Sequence, residues 1–136
     1  MKKILLILVT LLLMVTACGG GTTGEDTAAI DPTTLPDTID AKTTAAVKDF
    51  DNVLVLDVRE QWEYDEGHIP GVTLIPMGEV ASRLSEIPTD KEVIVTCRSG
   101  NRSGQVADFL RQQGYDNVHN MSGGILAWQE AGLPVE

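Results

Sequence analysis

The chain has 136 residues, with 20 acidic side chains against 10 basic ones and a formal net charge of −10 at pH 7. That excess repels polyanions, so nucleic acid and anionic lipid surfaces are excluded as partners. The two cysteines, Cys18 and Cys97, are too few for a disulfide-stapled fold, and no Walker-type or dinucleotide fingerprint is present.

The chain opens with Lys2 and Lys3, followed by a nearly continuous apolar run from Ile4 to Val15 and then small residues. At about a dozen residues the run is short of the roughly 20 needed to span a bilayer, so residues 1–17 are expected to be a secretory signal. Its end, Val15-Thr16-Ala17-Cys18, resembles the lipobox of bacterial lipoproteins. The resemblance implies cleavage before Cys18 and lipidation of that residue, which would hold an exported protein on a membrane face through several acyl chains. Cys97 is then left unpaired in a compartment that favours disulfides, which suggests that its thiol has chemistry to perform.

From Gly19 to Pro36 the chain is rich in Gly, Thr, Pro and acidic residues and is expected to be a flexible tether. The globular part is expected from Asp37 to Glu136, about one hundred residues and enough for one core. Asp40 is placed to cap a helix over Ala41–Lys48, and Val53–Leu56 and Val72–Ile75 read as strands. Val80, Leu84 and Ile87 at helical spacing predict a helix over Glu79–Ile87, ahead of Pro88. Glu92–Thr96 is β-branched and apolar, as suits a strand buried on both faces of a parallel sheet.

A helix is expected from Arg102 to Gln113, stopped by Gly114. Val118 lies on a short strand, and Gly123-Gly124-Ile125-Leu126-Ala127-Trp128 opens a last helix that ends near Gly132 and Pro134. Alternating strands and helices predict an α/β fold, a central parallel sheet with helices on both faces.

Cys97 sits at the carboxyl end of the Glu92–Thr96 strand, followed by Arg98-Ser99-Gly100-Asn101-Arg102-Ser103. Open α/β sheets bind ligands at such an edge, where loop and helix N–H groups favour an anion. A buried structural cysteine normally has apolar neighbours, and this one has polar ones. A free thiol titrates near 8.5, and lowering that to about 6.5 requires roughly 2.7 kcal/mol of preferential thiolate stabilisation. A helix terminus supplies about 0.3–1 kcal/mol, so the arginines or convergent N–H groups must supply the remainder.

The six-residue loop from Cys97 to Arg102 resembles the active-site loop of the rhodanese sulfurtransferases. In the cysteine phosphatases five residues separate the cysteine from an arginine. That count falls here on Ser103, so sulfur is favoured over phosphate chemistry. Asp57-Val58-Arg59, Gly67-His68-Ile69-Pro70-Gly71 and Met121-Ser122-Gly123-Gly124-Ile125 with Trp128 also resemble segments of rhodanese-like domains, so the resemblance covers Asp37 to Val135. It implies that Cys97 carries sulfane sulfur as a persulfide, moving it from a donor anion such as thiosulfate to cyanide or a thiol, a protein thiol included. The donor would be bound by Arg98, Ser99, Gly100, Asn101, Arg102 and Ser103, with both arginines on its oxygens.

The same loop could instead serve a persulfide carrier or thiol-binding module without turnover of its own. Asp57 and Arg59 are expected to be an ion pair fixing a turn, His68 to be structural, and Trp62 and Trp128 to pack in the core. The loose carboxylates Glu63, Asp65 and Glu66 beside His68 form no recognisable ligand pattern, so neither a metal nor a cofactor is expected.

Overall fold

The structure, a computed structural model, describes residues 29–136. The signal and Cys18 lie outside the described residues. Among the described residues five strands form one parallel sheet: β1 (Thr38–Ile39), β2 (Val53–Asp57), β3 (Thr73–Leu74), β4 (Glu92–Thr96) and β5 (Val118–Met121). Their spatial order is β1-β5-β4-β2-β3. Strand β4 is therefore central, paired with β2 from Val53↔Glu92 to Asp57↔Thr96 and with β5 from Val93↔Val118 to Val95↔Asn120.

Among the described residues four α-helices cover the faces: α1 (Ala41–Val47), α2 (Gln61–Asp65), α3 (Asn101–Gln112) and α4 (Gly124–Glu130). Successive side chains of a strand point to opposite faces, so β4 serves two cores. Val93, Val95 and Cys97 pack with Leu56, Val58 and the α3 residues Val106, Ala107 and Leu110. Ile94 packs on the other side with Val55, Val47, Ile125 and Trp128. Each such aliphatic side chain contributes about 1.5–3 kcal/mol on burial, which explains why the β4 run is apolar without alternation.

The helix starts follow from local chemistry. Asp40 caps α1 by accepting from the Thr43 N–H at 2.7 Å, and α3 ends before Gly114, whose φ of +95° only glycine adopts cheaply. Residues Met77–Ser82 and Leu84–Glu86, however, form two 3-10 turns rather than the helix expected over Glu79–Ile87. Val80 and Ile87 are buried as their spacing required, but the segment breaks at Arg83, with φ −122°. The Arg83 guanidinium clasps Glu79 and Glu86 on either side of that break. A three-residue period keeps the same side chains inward.

Two further expectations require correction. The tether was expected to reach Pro36, yet Pro32–Thr34 forms a 3-10 turn capped by Asp31, with Pro32 buried. Leu35 packs against the core beside α1 and α4, and the Pro36 carbonyl lies 2.7 Å from Nδ1 of His119. Trp62 is 62 % exposed rather than packed, whereas Trp128 is fully buried and donates from Nε1 to the Pro134 carbonyl at 2.8 Å. Helix α2 has only five residues, and its buried position is taken by Glu63, which turns Trp62 outward.

Candidate active site

Cys97 follows β4 directly, and α3 begins four residues later at Asn101. The chain reverses within that space because Gly100 adopts φ +96°. A side chain there would bring its Cβ to 3.0 Å from the Gly123 nitrogen. The turn brings donors around the sulfur: the Gly100 N–H donates to Cys97 Sγ at 3.1 Å and the Ser103 hydroxyl at 3.3 Å. Burial pushes the Cys97 thiol up, but the Ser103 hydroxyl and the N–H groups of Ser103, Gly100 and Ser99 outweigh it and leave the thiol below its ordinary value. Hydrogen bonds rather than the loop arginines thus lead in stabilising the thiolate.

Cys97 is 1 % exposed, so a reacting group must enter the loop to reach it. The opposite side of the loop is fixed by α4. Ile125 donates its N–H to the Cys97 carbonyl at 2.9 Å, and Leu126 donates to that of Arg98 at 3.2 Å. This approach demands glycine at the start of α4, since a Cβ on Gly124 would lie 2.4 Å from the Cys97 carbonyl oxygen. From β5, the Asn120 amide donates to the Gly100 carbonyl at 3.3 Å.

The two arginines of the loop differ. Arg98 is exposed and lines a hollow of about 150 Å³ between α2 and α4, together with Arg59, Glu63, Glu66 and Leu126. It makes no ion pair among the described residues. Arg102 is held by Glu63 through two bonds of 2.7 Å, Nη1 to Oε2 and Nη2 to Oε1. The hydrogen bonds from Arg102 hold the Glu63 carboxyl down at about 2, against desolvation, with help from the Glu60 N–H. Ser99 and Asn101 are exposed on the outer side of the turn, and Ser103 is fully buried under it.

Glu63 is a site residue that the sequence presents only as one of the loose carboxylates near His68. Its spacing after Glu60 marks the first turn of a helix, and the Glu60 N–H does donate to it. Nothing in the local pattern links it to an arginine 39 positions away. Asp57 and Arg59 form the expected ion pair, at 2.7 Å and almost fully buried. Arg59 also donates to the carbonyls of Glu63 and Gly67, tying α2 to the end of β2. His68 stacks on Tyr64 with ring centroids 3.7 Å apart, and its Nδ1 lies 3.1 Å from the Tyr64 carbonyl. Its Nε2 lies 3.4 Å from a Glu136 carboxylate oxygen, and its backbone pairs with that of Glu136. This is the structural placement expected for it.

Residues 40–131 match the family described as rhodanese-like domain. The chain belongs to that family. A sulfurtransferase of Allochromatium vinosum is 46 % identical over 87 residues, which cover 64 % of this chain and 81 % of the relative. A putative sulfur carrier protein of Bacillus subtilis is 43 % identical over 74 residues, 54 % of this chain and 40 % of the relative. Among solved structures, a rhodanese-related protein of Thermoplasma volcanium superposes with a TM-score of 0.67 at 35 % identity, covering 74 % of this chain and 98 % of that one. The parallel sheet with helices on both faces is thus the rhodanese-like architecture.

Proposed function

We propose that this rhodanese-like protein is a sulfurtransferase that moves sulfane sulfur through a persulfide on Cys97. The observation that carries the reading is the donor set around Sγ: an N–H and a hydroxyl directed at one buried sulfur favour an anion there, thiolate or persulfide alike. In the first half-reaction the Cys97 thiolate attacks the outer sulfur of thiosulfate. The donor S–S bond breaks, sulfite leaves with the bonding pair, and Cys97 is left as a persulfide anion. In the second, cyanide or a thiolate attacks the outer sulfur and the Cys97 thiolate is regenerated. No general base is needed once the thiol is ionised, which agrees with the placement of His68.

The donor site in this reading is the loop from Arg98 through Ser99, Gly100, Asn101 and Arg102 to Ser103. Arg98 supplies the free cation for donor oxygens, and Arg102 contributes from its pair with Glu63. Double displacement predicts parallel lines in reciprocal plots of rate against thiosulfate at several cyanide concentrations. Intersecting lines, or turnover by Cys97→Ser, would remove the covalent step. A carrier role is supported by the likeness to a putative sulfur carrier protein; it predicts loading by a donor with no turnover to cyanide or small thiols, and transfer only to a protein thiol.

The same proposal includes an exported, lipid-anchored location. It is supported by Lys2 and Lys3, the apolar run to Val15 and the position of Cys18. Incorporation of labelled palmitate in the producing cell, lost in Cys18→Ser, is the expected result. Equal labelling of both proteins would contradict it.

A further inference from the structure

The two loop arginines suggest a site with two positive charges facing the donor. The ion pairs give a different balance. Arg59 is neutralised by Asp57 at 2.7 Å, and Arg102 by the two bonds from Glu63. Of the three arginines Arg59, Arg98 and Arg102, Arg98 alone is left without a counter-charge among the described residues. Glu66 lines the hollow beside Arg98, but it is exposed and its field is screened by water and salt. Glu63, in contrast, is 8 % exposed and acts at close range.

We propose that Glu63 is a positioning and specificity-determining residue: it fixes Arg102 beside the loop and cancels its charge, so the site discriminates among sulfur-donor anions by their charge. This rests on the sulfurtransferase reading above and deepens it. Glu63 lines the hollow beside Arg98, and the Arg102 guanidinium lies 2.7 Å from its carboxylate oxygens. An uncancelled charge on Arg102 would therefore act at close range on a donor anion bound beside Arg98. The protein thus carries one free positive charge where two were available, which favours a monoanionic donor over a dianionic one relative to a site without the carboxylate.

Two donors that undergo the same reaction test this. Thiosulfate, a dianion, transfers its outer sulfur to Cys97 and releases sulfite. Methanethiosulfonate, a monoanion, transfers its outer sulfur to give the same persulfide and releases methanesulfinate. Glu63→Gln keeps the size of the side chain and frees the Arg102 charge. We expect kcat/KM for thiosulfate to rise roughly four- to tenfold and that for methanethiosulfonate roughly two- to threefold, since the added attraction scales with donor charge. The acid limb of the thiosulfate pH profile moves to lower pH, because an extra positive charge favours the thiolate.

The double variant Glu63→Gln/Arg102→Gln removes both charges, leaves neither partner buried alone, and has the wild-type balance. It lowers transfer from both donors, because the Arg102 hydrogen bonds are lost, but it is expected to return the thiosulfate-to-thiosulfonate ratio to the wild-type value, and it keeps the test available if the single variant does not fold. A purely structural Glu63 would loosen the loop, slow both donors equally and move the acid limb to higher pH, and that result overturns the proposal. A double variant that loses thiosulfate selectively also overturns it, by showing that Arg102 keeps its charge towards the donor even beside Glu63. If the wild-type protein transfers sulfur from neither donor, the sulfurtransferase reading fails instead.

Discussion

Ser103 and Glu63 show how single side chains set the chemistry of this loop. The Ser103 hydroxyl is fully buried and directed at Cys97 Sγ; without it, burial acts on the thiol with less opposition. Ser103→Ala is therefore expected to raise the Cys97 pKa, shift the acid limb of kcat/KM to higher pH, and slow transfer several-fold at neutral pH. An unchanged pH profile would remove the hydroxyl from the account. Glu63 links the site to stability. Its carboxyl is depressed from 4.5 to about 2 in the folded protein, so its contribution is present above the unfolded value and is lost as pH falls through 4.5 towards 2. At about 1.36 kcal/mol per unit, that contribution has an upper bound of roughly 3 kcal/mol near neutral pH. Urea unfolding should show the wild type ahead of Glu63→Gln at pH 6, with the gap closing as pH falls towards 2. A gap that does not change with pH would contradict the ion-pair assignment.

At the scale of elements, α4 acts as a brace. The free N–H groups of Ile125 and Leu126 in its first turn are spent on the Cys97 and Arg98 carbonyls, and Gly124 at φ +55° permits that approach. Gly124→Ala would place a Cβ within 2.4 Å of the Cys97 oxygen. It is expected to cost about 2–4 kcal/mol in urea unfolding and to abolish transfer through displacement of the loop. Near-wild-type stability would show that the loop can yield. The strand–loop–helix unit of β4, Cys97 and α3 was legible in the sequence, because a β-branched run, a polar turn and an apolar helical period each carry a local signal. The brace was not. Gly123 and Gly124 mark a helix start, but the pattern does not show which carbonyls that start meets. Strand β1 was missed as well, since two residues carry no period, and the 77–86 segment passed for an α-helix because three- and four-residue spacings bury the same side chains.

Over the whole molecule, the fold extends beyond the part that composition marks as globular. Low-complexity sequence suggested a tether up to Pro36, but Pro32, Leu35 and the Pro36 carbonyl are held by the domain. A chain beginning at Asp37 is thus expected to be about 1–3 kcal/mol less stable than one beginning at Ile30, through lost burial and the lost His119 contact. Equal urea midpoints would place the boundary back at Asp37. The molecule is acidic overall, and Arg98 beside the loop is a local exception suited to a small anion.

Cys97 is the sulfur acceptor of this mechanism, and the decisive measurement is the intact mass of the protein before and after thiosulfate, with Cys97→Ser alongside. A gain of about 32 Da is expected in the wild type only, removed by cyanide. No gain in a folded, reduced wild-type protein, or an equal gain in Cys97→Ser, would contradict it.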